Sequence, residues 1–441
     1  MKKLLLVVLM AGMVCSAQSK ENDGWVSLFN GRNLKGWTKM NGKAEYKVKD
    51  GAIVGISTLN TPNTFLVTKE RYGDFILELE YKVEDGLNSG IQFRSQSKPD
   101  YKDGRFHGYQ CEIDPSDRAW SGGIYDEGRR GWLYDLKNEP EAQKAFKHND
   151  WNKVRIEAVG TSLRIWLNGV PTADLIDDAD ADGHIALQVH GIGNNAELAG
   201  KTISWKNIRI KTDNIASELT PESNAIAQKN NIHNTISKRE AAQGWKLLWN
   251  GKDMTGWKSL SPRGNMAKGW KAVDGALVLT AKSGAGDIIT EKKYHSFELS
   301  IDFQLTPGAN GGIKYFISEN GSVGCEFQVL DDEKHPDAKA GFNNNRRLGS
   351  LYDLIPGGGW QYVNKYGWNT ARIVVKGNHV EHWVNGKKLL EYEKGNDMWN
   401  TIVSHSKFAK TKNFAGGDGG HILLQDHFDE VHYRNIKIRE L

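Results

Sequence analysis

The sequence predicts an all-β protein built from two tandem jelly-roll β-sandwiches. Three observations predict it: the chain contains one unit twice, its apolar residues alternate with a period of two, and its short segments end at strong turns. The chain has 441 residues, with 48 Gly and 15 Trp, and at about 150 residues per domain this length allows two or three domains. The excess of Gly and Trp is typical of turn-rich β structure with aromatic packing.

The repeat covers nearly the whole chain, and its segments keep the same order in both copies. Matching segments are 24–37 and 244–257, 151–169 and 368–386, and 183–190 and 420–427. We therefore predict a first domain over residues 24–212, a linker over 213–243 and a second domain over 244–441. Within the linker, Ser237 followed by Glu240 predicts a capping box at the start of one short helix.

The first 17 residues predict a signal peptide. Lys2 and Lys3 precede a short apolar run, and Ala17 provides a small residue for cleavage. The run is too short to span a membrane. A lipoprotein anchor at Cys15 is the less favoured alternative, because the two residues before it are not small. We expect an exported protein, periplasmic or secreted, that does not span the membrane.

Charge and cysteine content exclude several function classes. The chain has 58 basic and 54 acidic residues, so it lacks the basic surface that a nucleic-acid-binding protein needs. Three cysteines cannot form a disulfide framework, and no C-x-x-C zinc pattern occurs. Cys111 and Cys325 have no basic residue in their sequence neighbourhood, and we interpret both as inert.

Alternation of polar and apolar residues predicts the strands. Residues 75–81 and 297–303 alternate with a period of two. Short strands over 154–158 and 162–167 lead to Asn168-Gly169, a strong hairpin turn that recurs as Asn385-Gly386. Many short strands at regular spacing indicate a two-sheet sandwich, and a repeat of this size has room for a jelly roll.

The same alternation places polar side chains on one face of several strands, opposite a core-facing apolar set. A solvated outer face is the plain interpretation. However, these faces carry His, Gln, Glu and Arg in both copies, which favours a polar cleft. In the first copy they are His184, Gln188, His190, Gln110, Glu112, Asp114, Gln92 and Arg94, and in the second His421, Gln425, His427, Glu326 and Gln328.

Several strings resemble the 3-keto-disaccharide hydrolase domain family, formerly a domain of unknown function. In the first copy they include Gly24-Trp25, Asn88-Ser89-Gly90-Ile91, Gly122-Gly123-Ile124-Tyr125-Asp126 and Leu187-Gln188-x-His190-Gly191; in the second they include Glu326-x-Gln328, His335-Pro336-Asp337-Ala338, Leu351-Tyr352-Asp353 and Leu424-Gln425-x-His427. The resemblance implies a sandwich similar to concanavalin A-like lectins and glucanases, with sugar bound on the concave face. It also implies a 3-keto-glycoside substrate and a functional link to a separate sugar 3-oxidoreductase.

That substrate makes a specific chemistry available. A ketone at C3 acidifies the proton on C2, so a base can generate an enolate that expels the C1 substituent, and water addition completes a net hydrolysis. The site needs a base near C2 and a positive group at the ketone oxygen. In the first copy we expect His190 or Glu112 as the base and Arg94 at the ketone oxygen. Substrate-orienting candidates there are Gln110, Tyr125 and Gln188.

In the second copy the expected catalytic residues are Glu326, His335 and His427, and the expected substrate-binding residues are Lys314, Gln328, Asp331, Tyr352 and Gln425. Strand register places Phe316, not a cation, opposite Arg94, so the two sites are expected to differ and one could bind without catalysing. One divalent metal ion is a further option, with Glu326, His335, His427 and Asp331 as ligand types.

Tryptophans that recur in both copies are assigned to packing. Trp120 and Trp132, with Trp360 in the second copy, lie in glycine-rich segments without matched partners and are the better sugar-stacking candidates. A lectin-like pair of modules that binds glycans without chemistry is the alternative function, and a structural surface protein is the third. Fold alone cannot distinguish them.

Overall fold

The computed structural model describes residues 23–319, 321–412, 414–417 and 419–441. The predicted signal peptide and Cys15 lie outside these residues. The chain divides into two compact units between Asn231 and Ile232, which we call the first and second domains and describe separately. Within the described segments, no helix has the length and apolar character needed to cross a membrane.

The first domain is a jelly-roll sandwich of two sheets, as predicted. Its strands are β1 Val26–Ser27, β2 Trp37–Asn41, β3 Glu45–Lys49, β4 Ala52–Ile56, β5 Thr64–Thr68, β6 Phe75–Val83, β7 Ser89–Ser95, β8 Gly108–Ile113, β9 Ile124–Glu127, β10 Gly131–Tyr134, β11 Asn152–Val159, β12 Ser162–Leu167, β13 Val170–Ile176, β14 His184–Val189, β15 Thr202–Lys211 and β16 Lys229–Asn230. The outer sheet has the order β16-β13-β12-β11-β6-β15-β4-β3, with β1 on β15. The cleft sheet has the order β10-β9-β8-β7-β14-β5-β2.

The second domain repeats this architecture. Its strands are β17 Lys246–Leu247, β18 Trp257–Ser259, β19 Trp270–Val273, β20 Ala276–Leu279, β21 Ile288–Thr290, β22 Phe297–Leu305, β23 Asn310–Ile317, β24 Cys325–Leu330, β25 Asn369–Lys376, β26 His379–Val384, β27 Lys387–Glu393, β28 His421–Leu424 and β29 Val431–Glu440. The outer sheet has the order β19-β20-β29-β22-β25-β26-β27, with β17 on β29, and the cleft sheet has the order β18-β21-β28-β23-β24.

Helices are short and lie between strands. The α-helices are α1 Pro140–Gln143, α2 Lys238–Ala242, α3 Met266–Gly269 and α4 Asp397–Ser404, and single 3₁₀ turns occur at Lys102–Gly104, Ala196–Leu198, Ile215–Glu218, Pro336–Lys339 and Gly359–Tyr362. The predicted capping box of α2 is confirmed, because Ser237 Oγ accepts from the Glu240 N–H and the Glu240 carboxylate accepts from the Ser237 N–H.

Strand periodicity explains how the two sheets close on a core. In β6, the side chains of Leu77, Leu79 and Tyr81 are buried, and they belong to one hydrophobic cluster with residues of β7 and β8. The hairpin turn after β12 is confirmed, since Asn168 and Gly169 both have positive φ, at 52° and 83°. The paired sheets therefore leave the opposite face of β7, β8 and β14 for polar side chains.

Candidate active site

A glycine in β7 makes room for the polar side chains of the first domain's cleft sheet. Gly90 is paired with Glu112 of β8 in the ladder. A Cβ atom at Gly90 would lie only 2.2 Å from Gln110 Cδ. The Gln110 side chain therefore lies across Gly90, and any larger residue there would displace it.

A chain of hydrogen bonds then fixes the Glu112 carboxylate. Ser95 Oγ donates to Gln92 Oε1 at 2.8 Å, and Gln92 Nε2 donates to Gln110 Oε1. Gln110 Nε2 in turn donates to Glu112 Oε2 at 2.7 Å, while Asn88 Nδ2 donates to Glu112 Oε1 at 2.7 Å. Both amides are thus oriented by their partners, and the carboxylate is held from two sides.

Burial gives Glu112 an acid strength suited to proton transfer. Desolvation raises the pKa of the Glu112 carboxyl to about 7, against the opposing effect of its Asn88 and Gln110 hydrogen bonds. Asp114 raises the pKa further, while Arg118 lowers it. A carboxyl with this pKa is partly protonated near neutral pH, so it can donate a proton in one step and accept one in the next.

His190 directly follows β14 and is half-buried. Burial lowers the pKa of the His190 imidazole, although nearby Glu127 acts in the opposite direction. His190 is therefore neutral at pH 7, the form that can accept a proton. Glu127 is itself buried and accepts from Arg105 Nη2 at 3.1 Å and Asn63 Nδ2 at 3.3 Å. Gln188 is fully buried, and its Nε2 lies 3.5 Å from Glu127 Oε2.

Aromatic rings form one side of this site. The rings of Tyr125 and Trp132 meet edge-on at 5.2 Å between centroids. Trp120 packs edge-on against Trp132 at 4.8 Å, and the Arg118 guanidinium lies 4.8 Å from one indole centroid and 5.0 Å from the other. Trp132 and Tyr125 thus reach the cavity, and Trp120 supports Trp132 instead of lining the cavity itself.

Two adjoining cavities bring most of the predicted residues of the first domain together. The inner cavity, of about 420 Å³, is lined by Asn63, Asn88, Arg105, Gln110, Glu112, Arg118, Tyr125, Glu127, Trp132 and His190. The outer cavity, of about 620 Å³, shares Asn63, Arg105, Glu127 and His190 with it and extends to Asn41, Thr61, Pro62, Phe65, Lys102, Asp103, Gly191 and Gly193. Together they form a cleft large enough for a sugar ligand.

The position of Arg94 contradicts the prediction that it lies at the ketone oxygen. The ladder between β7 and β14 shifts register between Ala186 and His184, and Arg94 takes a φ of 47° at this bulge. The bulge turns its side chain away from the face of Gln92. Arg94 is 1% exposed, and its guanidinium donates to the carbonyls of Gly73, Gly160 and Asp180 and to the carboxylate of Asp74. Arg94 is therefore occupied by the fold and does not contact the cleft.

The second domain holds the same scaffold with a different acid. Lys314 is paired with Glu326 in the ladder, as Gln92 is with Gln110, so Glu326 occupies the register position of Gln110. Lys314 Nζ lies 3.6 Å from the Glu326 carboxylate. Burial raises the pKa of Glu326, while Lys314, Lys407 and His427 oppose that rise.

The other residues predicted for the second site lie in two places, one at Gly312 and one around Tyr352. A Cβ atom at Gly312 would lie 2.4 Å from Glu326 Oε1 and 3.0 Å from Gln425 Oε1, so these two side chains converge over this glycine. Gln328 takes the register position of Glu112 and is buried. Tyr352 donates to Asp337 Oδ2 at 2.8 Å, and the Lys407 ammonium lies 4.0 Å from the Tyr352 ring centroid.

The position of Asp331 also contradicts its prediction as a substrate-binding residue or metal ligand. Its Oδ1 accepts from the N–H groups of Glu333 and Lys334, and its Oδ2 accepts from the Gly308 N–H and the Tyr366 hydroxyl. It is fully buried, so its carboxylate orders the loop after β24 and is not offered to a ligand. Trp360 is likewise engaged, because its Nε1 donates to Glu333 and its ring packs against the core.

A compact set of metal-ligand types lies beside this site. One ligand atom each from His335, His427 and Asp429 can be chosen so that all three lie within 4.8 Å of one another. The His335 and His427 rings meet edge-on at 5.9 Å between centroids. Two imidazoles and a carboxylate suit a divalent transition metal or zinc. The set includes both predicted histidines but replaces Glu326 and Asp331 with Asp429.

Sequence reasoning missed five charged or amide residues of the inner cavity: Asn63, Asn88, Arg105, Arg118 and Glu127. Glu127 had a usable signal, because it lies two residues after Tyr125 and so shares its face of β9. Arg105 and Asn63 precede strands in irregular segments, where no periodicity indicates direction.

Three known proteins that are similar to this chain have names that refer to carbohydrate cleavage or binding. The 3-keto-disaccharide hydrolase of Bacteroides thetaiotaomicron is 33% identical over 232 residues, covering 45% of this chain and 79% of that protein. A solved structure of a candidate glycosyl hydrolase from Parabacteroides distasonis is 31% identical with a TM-score of 0.43, covering 47% of this chain and 99% of its own. A carbohydrate-binding module from Bacillus subtilis is 20% identical with a TM-score of 0.30, covering 40% and 97%.

The resemblance noted in the sequence is confirmed in both copies. Residues 24–211 and 244–439 each match the 3-keto-alpha-glucoside-1,2-lyase-like domain. The chain belongs to the family of 3-keto-alpha-glucoside-1,2-lyase-like domains and carries that domain twice.

Proposed function

We propose that the first domain cleaves 3-keto-glycosides by removing the proton on C2, eliminating the C1 substituent and adding water. Family membership and the related 3-keto-disaccharide hydrolase support a glycoside-hydrolysing enzyme. The observation that carries the finer proposal is that Glu112 and His190, two groups suited to proton transfer near neutral pH, line one cavity with Arg105.

His190 acts as the base in this scheme. Neutral imidazole takes the C2 proton, and the electron pair of the broken C–H bond moves to the ketone oxygen to form an enolate. Two arginines line the inner cavity, Arg105 and Arg118. Arg118 pairs with Asp114 and lies over two indoles, so Arg105 takes the role that was expected of Arg94, and its guanidinium stabilises the enolate oxygen. Its ion pair with Glu127 places this guanidinium beside His190.

Glu112 acts first as an acid and then as a base. The enolate expels the C1 substituent, whose oxygen takes the proton of Glu112, leaving an unsaturated ketone. In the second half, the Glu112 carboxylate takes a proton from water as the water oxygen bonds to C1. The proton on the His190 imidazolium exchanges with solvent, and His190 then donates a solvent-derived proton to C2. The atoms balance as a net hydrolysis. Both residues end in their starting states.

Sugar recognition in this scheme uses the aromatic and amide groups of the cleft. Trp132 and Tyr125 offer ring surfaces to the apolar face of a pyranose. Asn63, Asn88 and Gln110 offer amides to its hydroxyls. These groups suit an uncharged disaccharide better than a charged one.

Isotope incorporation tests the reaction. The full chain is incubated in D₂O with a 3-keto-α-glucoside, and the released 3-keto-sugar is analysed by mass spectrometry and NMR. We expect one deuterium at C2, formed faster than in a control containing the free 3-keto-sugar alone. Cleavage without deuterium at C2 would contradict elimination and indicate ordinary hydrolysis. Binding of the unoxidised disaccharide with no cleavage of either sugar would instead favour the lectin-like alternative.

We further propose export and a supply step. The predicted leader over residues 1–17 supports secretion or a periplasmic location, and N-terminal sequencing of the mature protein from fractionated cells tests it. An uncleaved N-terminus in the cytoplasmic fraction would contradict export. Because the substrate is a C3 ketone, an oxidoreductase that oxidises the C3 hydroxyl of a glycoside must act before this enzyme.

A further inference from the structure

One row of residues crosses the outer sheet of the first domain from strand to strand. Ladder pairing places Lys211, Ile76, Glu157, Arg164 and Asp174 side by side on neighbouring strands β15, β6, β11, β12 and β13. Adjacent strands lie about 4.8 Å apart, so the row runs for about 19 Å.

A segment of the chain itself covers this row. Glu218 forms an ion pair with Lys211. Thr220 donates to Glu157 Oε1 from its N–H at 2.9 Å and from its hydroxyl at 2.8 Å. Glu222 lies 3.7 Å from the Arg164 guanidinium. Every second residue of the segment, Glu218, Thr220 and Glu222, therefore contacts one polar residue of the row.

The second domain has the equivalent row with different residues. Pairing of the corresponding strands aligns Arg439, Glu298, Val374, Glu381 and Glu391. Ladder register fixes which residues of the two rows correspond. Phe75 and Phe297 begin the matching strands β6 and β22. Glu157 pairs with the residue after Phe75, Ile76, and Val374 pairs with the residue after Phe297, Glu298.

This second row lies at an open groove of about 260 Å³. The groove is lined by Glu298, Arg372, Val374, Lys376, His379, Glu381, Arg439 and Leu441. All of these residues belong to strands of the outer sheet or directly follow β29. The position that residues 218–222 cover in the first domain is thus a recess in the second.

The residues of the row define what can fill the recess. Where Lys211 meets Glu218, the second domain has Arg439, which pairs with Glu298 on one side and lines the groove, where it suits an acidic side chain. Where Glu157 accepts from Thr220, it has Val374, which suits an apolar side chain. Where Arg164 meets Glu222, it has Glu381 with Glu391 beyond it. Glu381 already lies near His379 and Lys388, as Arg164 already pairs with Glu157, and it suits a further basic side chain in the groove.

We propose that this groove binds an extended peptide segment of another protein with the pattern acidic-x-apolar-x-basic. The occupant is not the 218–222 segment of a second copy, because Glu222 would then face Glu381. The site uses a different sheet from the cleft, so it stands independently of the proposed reaction.

Peptide binding to the full chain tests the proposal. Two fluorescein-labelled peptides of the same composition are compared by anisotropy, one with Glu-Ser-Leu-Ser-Lys and one with its Glu and Lys exchanged, each flanked by Gly-Ser. We expect the first peptide to bind at least about fivefold more tightly, and the difference to shrink as salt is raised.

Two variants locate the binding. Glu381→Lys is expected to reverse the ranking of the peptides, and Glu291→Lys, an exposed position of the same domain, is the charge-matched control that keeps it. Val374→Glu installs the residue that the first domain has at this register position, and circular dichroism checks that the variant is folded before binding is measured. We expect Val374→Glu to weaken binding of the Glu-Ser-Leu-Ser-Lys peptide at least about fivefold, because the new carboxylate must be desolvated when the Leu side chain packs on it. Equal binding of both peptides, no binding up to about 1 mM, or an unchanged ranking in a folded Glu381→Lys protein would overturn the proposal.

Discussion

Replacing Arg94 by Met separates a structural from a catalytic role. The substitution keeps the length of the side chain but removes the donors to the carbonyls of Gly73, Gly160 and Asp180. At about 1 kcal/mol per lost hydrogen bond, the first domain should lose about 3 kcal/mol of stability. The ion pair with Asp74 adds little, because the Asp74 side chain is half-exposed.

Thermal unfolding of the full chain, followed by calorimetry, measures this loss. For a domain of 150–250 residues, about 3 kcal/mol corresponds to a decrease in Tm of about 6–12 °C. Arg32→Met, which removes an exposed arginine of the same domain, is the control and should shift Tm by less than about 2 °C. Below the transition, kcat/KM of Arg94→Met should stay within about twofold of the wild-type value. A variant with unchanged Tm and a kcat/KM reduced about 100-fold would refute this reasoning and restore the catalytic role suggested by the sequence.

Four further predictions concern the two sites. Glu112→Gln should lower kcat by about 10²–10⁴. In chemical denaturation, the free energy of unfolding of the variant relative to that of the wild type should be more favourable at pH 8 than at pH 5. The sign follows because a carboxyl whose pKa is about 7 when folded and near 4.5 when unfolded stabilises the fold below pH 4.5 and loses that contribution as pH rises through 7; equal stability changes at both pH values would contradict it. His190→Ala should abolish turnover while His427→Ala retains it, and the reverse result would move catalysis to the second domain. Trp132→Ala should raise KM about tenfold with a smaller change in kcat, and an unchanged KM would remove Trp132 from sugar binding. Titration with Co²⁺ should show one ion bound in the wild type and none in the His335→Ala, His427→Ala double variant, whereas equal binding would exclude this ligand set.

Strand periodicity predicted the faces of the site wherever the ladder is regular. Glu112, Gln110 and His190 line the same cavity because they follow the period of two along β8 and β14. The same rule assigned Arg94 to the cleft, and this prediction is wrong, because a bulge in β7 inserts one residue and reverses the direction of the Arg94 side chain. The second copy of the repeat already indicated that this position faces the core. Phe316 takes the equivalent place in β23, with a φ of 58° at an equivalent register shift, and an apolar residue there indicates a position that faces the core.

The cations of the first cleft could not be predicted in this way. Arg105 lies between the 3₁₀ turn at Lys102–Gly104 and β8, and Arg118 lies between β8 and β9. Loop conformation depends on tertiary contacts, here the ion pairs of Arg105 with Glu127 and Arg118 with Asp114. Side-chain direction in such segments has no sequence period, so it becomes visible only in the folded chain.

Comparison of the two cleft sheets shows which parts of the site diverged after duplication. The glycine that makes room for the polar side chains is kept as Gly90 and Gly312, and the histidine that follows β14 has its counterpart in His427. The carboxylate, however, moves from the register position of Glu112 to that of Gln110, where the second domain has Glu326. Two residues along a strand correspond to about 6.6 Å, which is larger than the reach of a proton transfer. A sugar held in the same way beside both histidines would therefore meet the acid at a different atom in each domain, so we expect that the second domain does not repeat the reaction proposed for the first.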